Sequence, residues 1–166
     1  MAIASSPSSA NSGKIDAVII TAKNPAGPWS NPHVLDGAPG IDPDIFFDDD
    51  GKAYVVHNDA PDEGKELYSG HRVIKVWEYD LEKDDVIPGT DKIVVNGGVD
   101  INERPIWIEA PHLYKKDGVY YLMCAEGGTG GWHSEVIFKS DKPTGPFVPA
   151  PSTRHSSSVQ TLVYPI

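Results

Sequence analysis

Asp42 and Glu109 are the residues of this 166-residue chain whose type and spacing promise chemistry. They stand at one place in two stretches that repeat each other. Ile41-Asp42-Pro43-Asp44-Ile45-Phe46-Phe47-Asp48-Asp49-Asp50-Gly51-Lys52-Ala53-Tyr54-Val55-Val56 aligns without a gap on Ile108-Glu109-Ala110-Pro111-His112-Leu113-Tyr114-Lys115-Lys116-Asp117-Gly118-Val119-Tyr120-Tyr121-Leu122-Met123, a shift of 67 residues. Each acid is followed by a proline (Pro43, Pro111) and an apolar run. A carboxyl group at the head of such a run is partly desolvated, and a second one nearby keeps one of the two protonated. That is the requirement for a general acid near neutral pH. Hydrolysis of a glycosidic bond uses such a pair, one acid to protonate the leaving oxygen and one carboxylate to handle water or sugar. Two solvent-facing carboxylates at hairpin starts satisfy the spacing equally well.

The elements that must position these acids are strands. Apolar alternation places strands at Ala17–Thr21, Asp42–Phe47, Lys52–His57, Arg72–Tyr79 and Lys92–Val95, then at Trp107–Tyr114, Val119–Ala125 and Glu135–Lys139. Asp50-Gly51 and Asp117-Gly118 supply the positive φ of hairpin turns. A second repeat, Ala17-Val18-Ile19-Ile20 before Pro25-Ala26-Gly27-Pro28-Trp29 and Glu135-Val136-Ile137-Phe138 before Pro143-Thr144-Gly145-Pro146-Phe147, extends the first. No segment sustains a helical period. About four short strands per repeat is the plan of a β-propeller blade, whose first strands line a central axis. The fold class expected is all-β, a propeller fragment of about two to three blades. Residues 1–13, rich in Ser, Ala and Pro, read as a disordered tail, residues 14–150 as the partial propeller and residues 151–166 as an irregular tail.

Composition narrows the function. A net charge of −10 argues against nucleic acid or an anionic membrane surface as partner. No run approaches the roughly 20 apolar residues of a membrane span, and the start Met1-Ala2-Ile3-Ala4-Ser5-Ser6-Pro7-Ser8 lacks the basic region and apolar core of a signal peptide. Cys124 is the one cysteine, so neither an internal disulfide nor a thiolate metal cluster can form, and its setting in Leu122-Met123-Cys124 is that of a buried, inert thiol. Asp48-Asp49-Asp50 lacks the ligand spacing of an EF-hand and reads as a solvated turn.

Gly40-Ile41-Asp42-Pro43-Asp44-Ile45-Phe46-Phe47-Asp48-Asp49-Asp50-Gly51-Lys52-Ala53-Tyr54, with Ile108-Glu109-Ala110-Pro111-His112-Leu113-Tyr114-Lys115-Lys116-Asp117-Gly118, resembles glycoside hydrolase family 43. Ala125-Glu126-Gly127-Gly128-Thr129 followed by His133, and Thr144-Gly145-Pro146-Phe147, are similar to the same family, so the resemblance covers roughly residues 16–150. It implies a five-bladed propeller that hydrolyses xylose- or arabinose-containing plant polysaccharides with inversion, as a β-xylosidase or α-L-arabinofuranosidase. Glu109 falls on the family's general acid. Asp42 falls on the Asp that raises the pKa of that acid and orients it. The third acid, an Asp base, belongs to a motif that the chain does not contain, and neither Asp16 and Asp36 sits in that motif. The implied partner is a xylo- or arabino-oligosaccharide, no cofactor or metal is expected, and the isolated polypeptide is expected to be catalytically silent.

Thr129 and His133 match a family stretch that passes close to the sugar, with an ordinary glycine-rich turn as the alternative. Trp107 and Trp132 are the candidate stacking platforms for sugar rings. Trp107 is read as sharing the face of Glu109, Trp29 as a packing residue in a repeated turn, and Trp77 as a lesser stacking candidate. His112, three residues beyond Glu109, falls on the opposite face of a regular strand. His71-Arg72 after Gly70 are further candidates for the funnel. A non-catalytic sugar-binding propeller and a protein-interaction propeller are the rival functions. Sugar binding without hydrolysis marks the first, and stability indifferent to sugars marks the second.

Overall fold

The computed structural model describes residues 1–7, 15–102, 107–151 and 155–156. Among them are strands and no helix. Three antiparallel sheets follow one another along the chain. The first runs β1 (Ala2–Pro7), β2 (Ile15–Ile20), β3 (His33–Pro39). The second runs β4 (Ile41–Phe47), β5 (Ala53–Asp59), β6 (Val73–Asp80), β7 (Asp85–Val86), with β8 (Lys92–Asn96) also on β6. The third runs β9 (Glu109–Lys116), β10 (Val119–Glu126), β11 (Ser134–Ser140), β12 (Val148–Pro149), with β13 (His155–Ser156) on β11. The leading strands lie side by side, β1 against β4 and β4 against β9. That neighbourhood brings the starts of β4 and β9 together, with Ser5, in the later half of β1, beside the start of β4.

The second sheet is buried on both faces, which is why β5 is buried at every residue from Ala53 to Asn58 rather than at alternate ones. One face packs Val55, Trp77 and Tyr79 against Ala17, Ile19 and Leu35 of the first sheet. The other packs Tyr54, Val56 and Val76 against Leu113, Leu122, Val136 and Phe138 of the third. Cys124 belongs to this second core, and burial, with the Glu126 carboxylate adding to it, pushes its thiol well above the ordinary thiol range.

Several sequence expectations change. Ala2–Pro7, placed in a disordered tail, instead pairs residue for residue with β2, with Ile3 packed on the core. Partner strand, not composition, decides that segment. His155 and Ser156, placed in an irregular tail, pair with Glu135 and Ser134. The other residues of those two tails, apart from Met1 and Pro151, lie outside the described residues.

The ungapped repeat is also out by one residue in the ladder. Phe46 opposes Tyr54, whereas Tyr114 opposes Tyr121, so the leading strands correspond at a shift of 68 and the following strands at 67. The turns account for the difference. Lys116 and Val119 pair directly across Asp117 (φ 53°) and Gly118 (φ 77°), a two-residue turn with both φ values positive. The equivalent pair, Asp48 and Lys52, joined by Asp48 N–H donating to Lys52 O at 2.8 Å, encloses three residues.

Asp48 itself is not a solvated turn residue. Its carboxylate is buried, accepting from Lys115 Nζ at 2.6 Å, Tyr120 Oη at 2.5 Å and the Asp49 amide at 2.7 Å. Burial acts to raise its pKa, but these donors prevail and hold it below the ordinary carboxylate value. The clamp ties the second sheet to the third at the end away from the strand starts.

Candidate active site

At the heads of β4 and β9 the ladder carries a bulge in each sheet. Ile41 opposes Asn58 and Asp44 opposes Val56, three steps against two. Glu109 opposes Ala125 and His112 opposes Met123 in the same way. By register Glu109 therefore stands where Ile41 stands, and Asp42 where Ala110 stands. Asp42 and Ala110 are the bulged residues, with φ of 53° and 49°. The bulge also puts Glu109 and His112 on one face, not on opposite faces.

The two bulges meet. The Asp42 carboxylate accepts the Ala110 N–H at 3.1 Å, and Ala110 directly follows Glu109. On its other side the Asp42 N–H donates to Ser5 Oγ at 3.0 Å, so one residue links all three sheets. Asp44 continues the seam: its carboxylate accepts the Leu113 N–H at 3.3 Å and lies 3.4 Å from His112 Nδ1. Glu109 is half-buried and Asp42 exposed, so the pair opens to solvent.

A third charged group faces this pair. Arg72 bonds through Nε, at 2.8 Å, and Nη2 to Asn58 Oδ1. The amide nitrogen of fully buried Asn58 donates to the carbonyl of Ile108, immediately before Glu109. Burial draws the Arg72 guanidinium down from its ordinary value, while Asp59, Glu109 and Asp42 act the other way. It stays charged. His71, weighed together with Arg72, turns inward instead: its ring packs on Tyr68 and its Nδ1 accepts the Leu67 N–H at 3.2 Å.

Asn58 has a tight support. The Trp77 Nε1–H donates to His57 Nε2 at 2.9 Å, which leaves the His57 proton on Nδ1, 3.3 Å from the Asn58 carbonyl. Burial lowers the His57 pKa and favours this neutral ring. Gly40, at φ 126°, lies so close that a Cβ would collide with that carbonyl.

Trp107 precedes β9 rather than sharing its pleat, with φ of 22°. Its exposed ring lies 5.7 Å from the Arg72 guanidinium, between Gly70 and Gly128. Gly128 opens the loop that carries Thr129, Trp132 and His133. His133 Nδ1–H donates to the Gly128 carbonyl at 2.8 Å and its N–H to Gly130 O at 3.0 Å, so His133 pins the loop that holds it. Thr129 and Trp132 are exposed on this loop. Trp77 is buried, and Trp29, read as a packing residue, is 42% exposed.

The geometry thus joins Asp42, Glu109 and Trp107, with the Gly128–His133 loop beside the tryptophan. Three non-glycine residues at positive φ, Asp42, Trp107 and Ala110, bracket the carboxylates. Each costs about 1–3 kcal/mol, a strain that folds retain chiefly at functional sites. Ser5, Asp44 and Asn58 are the members that sequence reading missed. Asn58 and Ala125 share one repeat position with no chemistry in common, and the Ser5 contact depends on a strand that composition conceals.

Known proteins are similar to this chain in sequence and fold. The chain is 48% identical over 124 residues to a xylosidase/arabinosidase of Butyrivibrio fibrisolvens, covering 74% of this chain and 23% of that protein. A GH43_12 crystal structure from a capybara gut metagenome superposes with a TM-score of 0.78 at 61% identity, over 82% of this chain and 25% of that one. A xylan β-1,4-xylosidase from Bacillus halodurans superposes at 0.69 with 36% identity, over 84% of this chain and 25% of its own. This chain therefore spans about a quarter of the length of these relatives. Their fold is the five-bladed β-propeller, of which the three sheets here are consecutive blades. The profile described as glycosyl hydrolases family 43 matches residues 3–161, and with the repeated strands and the paired acids in place, the chain belongs to that family.

Proposed function

We propose that this chain forms the acid side of an inverting glycosidase site for xylose- or arabinose-containing oligosaccharides, of the β-xylosidase or α-L-arabinofuranosidase kind. Glu109 protonates the leaving oxygen. Asp42 acts as its modulator, fixing the Glu109 segment through the Ala110 N–H and keeping a second negative charge beside the acid. Trp107, and Thr129, Trp132 and His133 on their loop, supply the sugar-facing wall. The observation that supports the reading is the Asp42–Ala110 hydrogen bond, which ties the Asp42 carboxylate of one sheet to the residue that follows Glu109 on the next. Inversion further requires a base about 6.5–9.5 Å from the acid, with a water between. We assign that role to no residue of this chain.

The test places the site in a whole domain. These residues replace the aligned segment of the Butyrivibrio xylosidase/arabinosidase, and the chimera is assayed on nitrophenyl xyloside and arabinofuranoside. Activity is expected. Glu109→Gln is expected to lower kcat by about 10²–10⁴-fold, and the 166-residue chain alone to show no turnover. A folded chimera whose activity ignores Glu109→Gln refutes the assignment. Sugar binding without hydrolysis favours a binding module.

A further inference from the structure

Glu109 lies between two peptide groups, and both are held from the second sheet. The N–H after it, on Ala110, donates to the Asp42 carboxylate at 3.1 Å. The carbonyl before it, on Ile108, accepts from the side-chain amide of Asn58. Trp107 and Ala110, on either side, carry positive φ values of 22° and 49°. A segment strained in this way keeps its course only while its neighbours hold it.

The Asn58 hold works in one orientation. Turned end for end, the amide would set its oxygen against the Ile108 carbonyl, acceptor against acceptor. Arg72 excludes that orientation. Its Nε and Nη2 both donate to Asn58 Oδ1, and an NH2 group in that place could accept neither bond. A carboxylate stands next in sequence to Asn58, yet the cation is aimed at the amide. Asp59 is taken by Lys75 Nζ and by the Ala60 N–H, at 2.8 and 2.7 Å. The Arg72 guanidinium also lies 5.7 Å from the centroid of the Trp107 ring, a distance at which a cation is attracted to the ring face. One side chain thus acts, through Asn58 and through the ring, on the two residues before Glu109.

We infer that Arg72 is the positioning residue of this site, fixing the Asn58 amide that sets the Glu109 backbone and seating the Trp107 ring beside it, so that acid and sugar wall keep one spacing. Its consequence for catalysis rests on the glycosidase reading above. Its effect on the Glu109 segment rests on the hydrogen bonds alone. A lysine in its place is a single point donor and cannot reproduce the planar fork.

Two measurements test it. In the 166-residue chain, Arg72→Met removes the donors and keeps the length of the side chain. Exchange of the Asn58 side-chain amide is expected to quicken by about tenfold or more, as loss of a hydrogen bond to a charged group implies. The amide resonances of Glu109 and Ala110 are expected to move, while those of β11 stay in place. In the chimera, the same substitution is expected to lower kcat by about 10²-fold on an alkyl glycoside, the size of effect that a misplaced catalytic group brings. The fall is expected to be much smaller on a dinitrophenyl glycoside, whose leaving group needs little help from an acid. Arg72→Lys, which keeps one charged donor, is expected to recover part of both effects, and it serves in place of Arg72→Met should circular dichroism show the latter unfolded. Unmoved Glu109 and Ala110 resonances, or equal falls on the two glycosides, overturn the proposal. A chimera indifferent to Glu109→Gln refutes the glycosidase reading instead, and the resonances of the 166-residue chain then decide the positioning role by themselves.

Discussion

At the scale of single residues, charge is placed where the sheets join rather than on the surface alone. Asp48 shows how. A buried carboxylate is costly unless donors surround it, and here Lys115, Tyr120 and the Asp49 amide do so. Tyr120→Phe leaves one oxygen of that carboxylate short of a donor and is expected to cost about 1–3 kcal/mol, read as a lower urea midpoint at unchanged slope. The sign with pH follows from the lowered pKa of Asp48. Its contribution is present above the unfolded value, about 3.9, and is lost as pH falls through the lower folded value. Asp48→Asn is therefore expected to reduce stability at pH 7 and to flatten the acid limb of a stability–pH curve. An acid limb identical to that of the native chain contradicts the clamp. The aspartate run was legible in sequence as a turn. That its first member is buried was not, because the partners are 67 and 72 residues away.

At the scale of elements, alternation and Asp-Gly turns made most strands legible, since those signals are local. β1 and β3 were not, because Ser, Ala, Pro and Gly form strands there only through pairing with β2. The one-residue slip of the repeat escaped for a related reason. An alignment scores residue types, whereas register is set by turn length and bulges. Glycine separates the two kinds of constraint. Gly118 has open space where a Cβ would go, so Gly118→Ala is expected to cost only its φ preference, about 1 kcal/mol. Gly40 has both a φ of 126° and the Asn58 carbonyl in the way, so Gly40→Ala must also displace the strand that braces Ile108. It is expected to cost more than about 3 kcal/mol and to broaden the amide resonances of residues 107–110. Equal costs for the two alanines would show that the close approach at Gly40 carries no weight.

At the scale of the whole molecule, the second sheet is the common wall of both cores, and the first sheet leans on it from one side only. Val55 and Val56 are neighbours on β5 with fully buried side chains that enter different cores. Removing two methyl groups from either costs about 2 kcal/mol by lost burial and residual cavity. Because the shared wall is weakened in both cases, Val55→Ala and Val56→Ala are each expected to lower a single urea transition by similar amounts. Ile19→Ala differs, since Ile19 belongs to β2 and touches one core. It is expected to speed hydrogen exchange in β1, β2 and β3 while the amides of β9, β10 and β11 keep their protection, a local opening below the global free energy. Uniform acceleration across all three sheets would mean that the stack unfolds as one unit, and that the first sheet holds its place by more than its contact with the second.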